Sequence, residues 1–163
     1  MRLFLGFVLA FVLGLAPGAA LAGWEATEWG MTPEQAQAAM PDLKPVKSGE
    51  KMDVGQVKSA GPFMLEGVKG KAELYYGPAG LERVGVKLPA QSCKAVGDAI
   101  LRQRGKPLVV SDQVLFFLFI WHDEPGQTRI RQMFSPQAGI CSVYFERLST
   151  YRDGDLQRAA AKP

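Results

Sequence analysis

Short segments in which apolar and polar residues alternate make up much of residues 63–148. A period of two is typical of strands that turn one face to a core and the other to water. Turn residues such as Gly77-Pro78-Ala79-Gly80 separate the segments, which predicts antiparallel strands joined in hairpins. The predicted strands are residues 63–68, 71–76 and 81–88 in the first half, and 114–121, 128–134 and 141–148 in the second.

A helix precedes each group of three strands. Residues 29–35 read Trp-Gly-Met-Thr-Pro-Glu-Gln, in which Thr32 and Gln35 can form a capping box. A second helix is predicted over residues 92–104, with Ser92 as its cap, and it ends before Gly105. The order predicts an α+β fold, with two α-β-β-β repeats that form one antiparallel sheet and both helices packed on one face.

The N-terminus predicts export. Arg2 supplies a basic start, residues 3–15 are almost entirely apolar, and Ala20-Leu21-Ala22 is a small-x-small cleavage pattern. We therefore expect a signal peptide over residues 1–22, cleaved near Ala22, and a periplasmic or secreted mature chain. The alternative is an uncleaved anchor, but the run is short against about 30 Å of hydrocarbon. No transmembrane segment is expected in the mature chain.

The remainder is predicted to be one α+β domain over residues 23–150. Residues 41–60 are polar and contain two prolines, which indicates a connecting loop with at most a short strand. Residues 151–163 are small and charged, and we expect a flexible C-terminal tail that buries nothing in a core.

Two cysteines, Cys93 and Cys141, are expected to form a disulfide because exported chains enter an oxidising compartment. The bond would close a loop of about 48 residues, for which the chain-entropy model gives about 4 kcal/mol as an upper figure. The alternatives are two unpaired buried thiols, or a reactive Cys93 whose thiol is acidified at a helix N-terminus.

Composition argues against several classes of function. With 19 basic and 16 acidic residues, the near-neutral balance argues against a nucleic-acid partner. The chain has one histidine and two cysteines, so we expect no catalytic residue, no metal site and no cofactor. His122-Asp123-Glu124 could hold a metal weakly or shuttle a proton, but it is interpreted as a charged hairpin turn, because metal sites need three or four converging ligands.

Candidate binding residues are aromatic or basic, the types that concentrate binding energy in interfaces. The arginines alternate along predicted strands and could form a basic stripe on an open sheet face, next to tyrosines. The alternative is core packing for the tryptophans and ordinary solvated charge for the arginines. The proposed binding set is Trp24, Trp29, Arg129, Arg131 and Tyr144, with Arg83, Arg147 and Tyr75 as neighbours.

Residues 29–35, placed after a signal peptide and before hairpins, resemble the helix-opening segment of a group of small exported bacterial α+β proteins. These are the proteins with a fold like the β-lactamase inhibitor proteins and the small outer-membrane assembly lipoproteins. The resemblance implies a binding scaffold without catalytic machinery. No cysteine follows the predicted cleavage site, so a lipid anchor of the lipoprotein type is not expected.

Together these observations predict a noncatalytic binding or accessory protein of the bacterial envelope, which holds a protein, a peptide or an envelope component. One alternative is a secreted inhibitor of a hydrolase, which would use a protruding loop within residues 45–60. A less favoured alternative is a small exported enzyme, for which His122 is the one candidate general base near neutral pH.

Overall fold

The computed structural model describes residues 22–161. The predicted signal peptide, apart from Ala22, lies outside the described residues. Three α-helices are present in the described part: α1 (Pro33–Ala39), α2 (Cys93–Arg104) and α3 (Arg152–Ala160), with single 3-10 turns at Ala90–Ser92 and Leu148–Thr150. Within residues 22–161, no helix has the length and apolar character needed to cross a membrane. The strands are β1 (Gly23–Trp24), β2 (Thr27–Glu28), β3 (Lys44–Pro45), β4 (Lys51–Met52), β5 (Gly55–Leu65), β6 (Val68–Gly77), β7 (Gly80–Leu88), β8 (Val109–Gln113), β9 (Phe116–Asp123), β10 (Thr128–Ser135) and β11 (Ile140–Arg147).

One large antiparallel sheet organises the chain, in the order β3-β5-β6-β7-β11-β10-β9-β8, with β4 paired to β5. Strands β1 and β2 form a separate two-stranded ribbon. The α+β class and the antiparallel sheet are therefore confirmed. The two halves meet where β7 pairs with β11. Four strands follow α2, not three, and the interpretation of the halves as repeats stays a prediction.

Local sequence explains both ends of α1. Gln35 N donates to Thr32 Oγ1 at 3.3 Å, and Thr32 N donates to Gln35 Oε1 at 2.8 Å, so the predicted capping box is confirmed. The helix ends at Ala39, shortly before Pro41. Ser92 is the N-cap residue of α2, as predicted, but its side chain forms no capping hydrogen bond.

Two turns were misplaced in the sequence prediction. Glu66 and Gly67, both with positive φ (50° and 75°), turn the chain between β5 and β6, whereas residues 63–68 were predicted to be one strand. Residues 114–121 were also predicted to be one strand. Instead Val114 and Leu115 form the tip of the β8–β9 hairpin and are 95% and 71% exposed. Apolar residues flank the Glu66-Gly67 turn on both sides, and at the second turn Val114 and Leu115 are themselves apolar, so neither break is visible in the apolar pattern.

Residues 41–60 are also more ordered than predicted. They contain β3, β4 and the first half of β5, so the interpretation as mainly connecting loop is wrong. Part of residues 45–60 is paired in the sheet through β3, β4 and β5, and the inhibitor alternative stays a prediction. The first half of β5 is rich in small and polar residues, so it lacks the alternation of apolar and polar residues that would predict a strand.

The main core lies between the sheet and the helices α1 and α2. Alternate residues of the central strands point into it, with Ala36 of α1 and Val96 and Ile100 of α2 above them. The disulfide Cys93–Cys141 joins the first residue of α2 to β11, with 5.5 Å between the Cα atoms. The core residues from the sheet include Leu74, Val84, Val86, Val143 and Trp121.

Helix α3 packs on the opposite face of the sheet. Its Asp155 is fully buried and hydrogen-bonded to Arg129 of β10. The expectation that residues 151–163 form a tail with nothing to bury is therefore wrong for the described part of that segment. The residue that α3 buries is the charged Asp155. An ion pair of this kind leaves no apolar periodicity in the sequence from which its burial could be predicted.

Candidate functional site

An apolar groove opens between α2 and the β8–β9–β10 end of the sheet. Its cavity has a volume of about 440 Å³. The floor is largely aromatic, and one face of the helix forms the opposite wall. The lining residues are Cys93, Lys94, Gly97, Asp98 and Leu101 of α2, Pro107, Val110 of β8, Phe117, Phe119 and Trp121 of β9, and Gln132 and Phe134 of β10.

Two sequence periods create the groove. The α2 residues that line it are spaced as one helical face, and alternate residues of β9 (117, 119 and 121) point to the same side of the sheet. Gly97 lets the two walls approach each other at one point, since a Cβ there would lie 2.6 Å from Gln132 Oε1.

Helix α2 is fixed at both ends above the sheet. At its start, the disulfide holds Cys93, and the carbonyl of Cys93 accepts a hydrogen bond from Gln132 Nε2 at 2.7 Å. Just beyond its end, the carbonyl of Gly105 accepts a hydrogen bond from Trp121 Nε1 at 3.0 Å. The position of α2 above the sheet, and with it the width of the groove, is therefore fixed by the disulfide and these two hydrogen bonds as well as by apolar packing.

The groove changes from buried to exposed along its depth. Trp121 is 4% exposed, and its ring lies 6.1 Å from that of Phe119. At the mouth, Leu101, Val110 and Phe117 are 42%, 42% and 39% exposed. Apolar side chains exposed together around a concavity are typical of a site that a ligand or partner covers.

The polar groups at the groove do not form a catalytic set. Lys94 and Asp98 pair with each other, Nζ to Oδ2 at 2.7 Å, on the outer surface of α2. Cys93 is held in the disulfide. An exposed ion pair of this kind contributes little stability. The lining residues include no histidine or serine that could act as a base or nucleophile. The chemistry available is the burial of an apolar ligand.

The predicted binding residues lie elsewhere. Trp24 is 4% exposed and packs in the main core, with its ring 4.6 Å from that of Phe63. Trp29 is partly buried against the same core. Arg129 and Tyr144 are buried on the opposite face of the sheet. Trp24, Arg129 and Tyr144 are buried, so the expectation of exposed docking groups is wrong for these three residues, whereas Trp29 keeps part of its surface exposed and its role stays a prediction.

The expected basic stripe is an internal ion-pair network. Glu146 of β11 is fully buried, and three arginine side chains surround it. Arg83 Nε lies 2.7 Å and Arg131 Nη2 3.0 Å from Oε1, and Arg129 Nη1 contacts Oε2. Burial raises the pKa of Glu146, but the three guanidinium groups outweigh burial and hold that pKa below its usual range.

Aromatic rings fill the remaining space in this network. Arg131 lies over the ring of Tyr144, with its guanidinium carbon 4.3 Å from the ring centroid. Gly85 makes room for that ring, because a Cβ there would lie 3.0 Å from it. The predicted Arg131–Tyr144 neighbourhood is thus present, but it is a packed internal contact and not an open surface.

The side chains of His122, Asp123 and Glu124 diverge to separate partners. His122 Nε2 lies 3.0 Å from Asp155 Oδ2, Asp123 pairs with Arg104 at 2.9 Å, and Glu124 contacts Arg152. Among residues 22–161, no group of three or more His, Cys, Asp or Glu side chains is placed to hold a metal ion.

Sequence reasoning missed the groove. The sequence predicts a strand over residues 114–121 but not its surroundings: β9 lies next to the sheet edge, and α2 covers it only in part. One available signal was Gly97, a residue without a side chain in the apolar stripe of a predicted helix, where packing against the sheet would otherwise favour a larger one.

Comparison with known proteins adds a distant structural neighbour. No protein-family model and no curated protein sequence matches the chain. Among solved structures, the chain is similar to YjgB, a DUF4309 family protein from Bacillus subtilis subsp. subtilis str. 168, with a TM-score of 0.45 and 10% sequence identity. The alignment covers 81% of this chain and 84% of that chain. This similarity assigns neither a family nor a function.

Proposed function

We propose that the protein is an exported, noncatalytic binding protein of the bacterial envelope that binds an apolar ligand in the groove beside α2. The observation that carries the proposal is the cavity of about 440 Å³ with aromatic and aliphatic walls. Its volume is in the range of about 300–1,000 Å³ usual for small-molecule sites, which are mostly apolar.

Two features support export. The first 22 residues have the pattern of a secretory signal peptide. The two cysteines are joined as Cys93–Cys141, and disulfides persist mainly in oxidising compartments. An envelope location would also bring the protein near the apolar and amphiphilic molecules that such a groove accommodates.

The arrangement of polar groups supports binding over catalysis. The buried charged groups on the other face, such as Glu146 and Arg129, are neutralised by each other. His122 is turned to Asp155 and lies away from the groove residues. A reacting molecule in the groove would therefore meet mainly hydrocarbon, and the two ionisable groups of the lining, Lys94 and Asp98, are paired with each other.

Titration with N-phenyl-1-naphthylamine, an uncharged dye that fluoresces in apolar sites, tests the proposal. We expect the full-length mature protein to bind the dye and Leu101→Trp to bind it at least tenfold more weakly, because the indole would fill the mouth of the groove. Leu156→Trp is the matched control, since Leu156 is similarly exposed on α3. No binding by the wild type, or equal binding by Leu101→Trp, would contradict the proposal.

A further inference from the structure

The shape of the groove restricts its ligand. Along α2 the lining extends from Cys93 to Leu101, about 12 Å at a rise of about 1.5 Å per residue. Along β9 it extends from Phe117 to Trp121, about 13 Å at a rise of about 3.3 Å per residue. The two walls run side by side over a similar length, so the space is an elongated channel along most of α2.

The walls of the groove offer few hydrogen-bonding partners to a ligand lying along it, because the polar side chains of the lining are Gln132 and the mutually paired Lys94 and Asp98. Gln132 is the one amide in the lining, and its Nε2 already donates to the carbonyl of Cys93. A buried peptide would leave its N–H and C=O groups without partners, at a cost in free energy for each group. An unbranched hydrocarbon chain has no such groups, and it matches both the length and the chemistry of the walls.

Positive charge is concentrated at one end of the groove. Three basic residues are exposed there: Arg102 and Arg104 in the last turn of α2, and Lys106 just after the helix. They are close in sequence to the lining residues Leu101 and Pro107. Arg104 pairs with Asp123 at 2.9 Å. Within residues 22–161, neither Arg102 nor Lys106 forms an ion pair with a carboxylate. The opposite end, towards Phe117, carries no such cluster: Lys94 there is paired with Asp98.

From the channel and the cationic end together, we infer that the ligand is a free fatty acid. Its alkyl chain lies along Phe117, Phe119 and Trp121 beneath α2, and its carboxylate lies at the Arg102–Lys106 end. The inference rests on the proposed function, because it names the ligand of the same groove. It also assigns Arg102 and Lys106 a role in addition to their favourable position at a helix C-terminus.

Displacement of bound N-phenyl-1-naphthylamine by straight-chain alkanoic acids of increasing length tests the chain. We expect affinity to rise about fourfold per methylene, the transfer free energy of one CH₂ group, and to level off once the chain fills the groove of about 12 Å. If the dye binds but no alkanoic acid displaces it, the inference is wrong and the proposed function stands. If the dye itself does not bind, both are wrong.

A pair of double variants tests the position of the carboxylate. Arg102→Gln/Lys106→Gln should weaken binding of the alkanoic acid at least fivefold and leave the alcohol of equal chain length unchanged. Lys51→Gln/Lys69→Gln removes two exposed charges from the other half of the sheet and should change neither. The carboxylate assignment would be overturned if Arg102→Gln/Lys106→Gln weakened binding of the acid and the alcohol equally, or if it left binding of both unchanged.

A third arm separates a free acid from a membrane lipid. The free-acid assignment predicts no cosedimentation of the protein with vesicles of phosphatidylethanolamine and phosphatidylglycerol. Cosedimentation of the wild type that Leu101→Trp abolishes would overturn the inference in favour of a bilayer lipid.

Discussion

Arg129 of β10 and Asp155 of α3 form a two-point contact between buried side chains: Nε donates to Oδ2 at 2.6 Å and Nη2 donates to Oδ1 at 3.0 Å. Arg129 also contacts Glu146, so it links the C-terminal helix to the ion-pair network on the sheet. His122 and Arg158 complete the surroundings of the Asp155 carboxylate, at 3.0 and 2.9 Å. One carboxylate thus fixes α3 on the face opposite the groove.

Asp155→Asn should destabilise the protein strongly. The substitution keeps the shape of the side chain but removes the charge that faces a buried guanidinium, and breaking a buried pair by removing one partner costs about 3–5 kcal/mol. Urea unfolding followed by circular dichroism measures the change. Asp153→Asn, an exposed position in the first turn of the same helix, is the control and should change the free energy of unfolding by less than about 0.5 kcal/mol. Equal unfolding midpoints for the two variants would contradict the structural role of Asp155.

Stability should fall in acid because of the same carboxylate and Glu146. Burial raises the pKa of Asp155, but hydrogen bonds from Arg129 and His122 outweigh it and leave the pKa below its ordinary value. A carboxyl whose pKa is lower when folded contributes its full stability above the unfolded pKa of about 4 and loses it as the pH falls through the folded pKa. We therefore expect the free energy of unfolding to decrease below about pH 4.

The comparison with Asp155→Asn identifies the group responsible. The variant should lose less stability between about pH 6 and about pH 3 than the wild type, because one of the two carboxyls no longer titrates. The measurement is the urea midpoint across this pH interval. Parallel pH profiles for the two proteins would show that Asp155 has the same pKa in both states.

The features that could be predicted from the sequence depend on residues close together in the chain or, for the disulfide, on the chemistry of the two cysteines. The capping box of Thr32 and Gln35 depends on four consecutive residues, and the alternation in β6, β7 and β11 depends on one strand at a time. The turn at Glu66–Gly67 is a local feature too, but it is short and apolar residues flank it on both sides, so residues 63–68 resemble one strand. The burial of Arg129 depends on Asp155, 26 positions away, and no sequence pattern joins an arginine on a strand to an aspartate in a tail.

The groove was beyond sequence reasoning for a similar reason. Residues Phe117 and Phe119 are apolar enough for a closed core, and only the position of α2 over them leaves part of their surface uncovered. That position follows from two contacts with distant partners, Cys93 to Cys141 and Trp121 to Gly105. The first was predicted from compartment chemistry, while the second involves a backbone carbonyl that any residue could supply.

Removal of the disulfide should affect both stability and the groove. Cys93→Ser/Cys141→Ser releases the start of α2, and loss of a native disulfide typically costs about 2–5 kcal/mol. We expect a lower thermal midpoint and weaker binding of N-phenyl-1-naphthylamine, because one anchor of the groove wall is gone. Intact mass before and after reduction should differ by the mass of two hydrogens. A free thiol on either cysteine in protein isolated from its native compartment would contradict the bond.

The proposed cleavage of a signal peptide after Ala22 can be checked against the fold. Cleavage after Ala22 leaves Gly23, whose backbone pairs with Glu28 and whose carbonyl accepts a hydrogen bond from Thr128 Oγ1 at 2.9 Å. Cleavage two residues later would remove Trp24 from the core, where it is 4% exposed, and would cost about 3–5 kcal/mol. If the chain is exported as proposed, N-terminal sequencing of protein from the periplasmic fraction should begin at Gly23. Ala22→Arg, which disrupts the small-residue cleavage pattern, should accumulate uncleaved chain in the membrane fraction. A wild-type protein that keeps Met1 would show that the N-terminal segment is not removed.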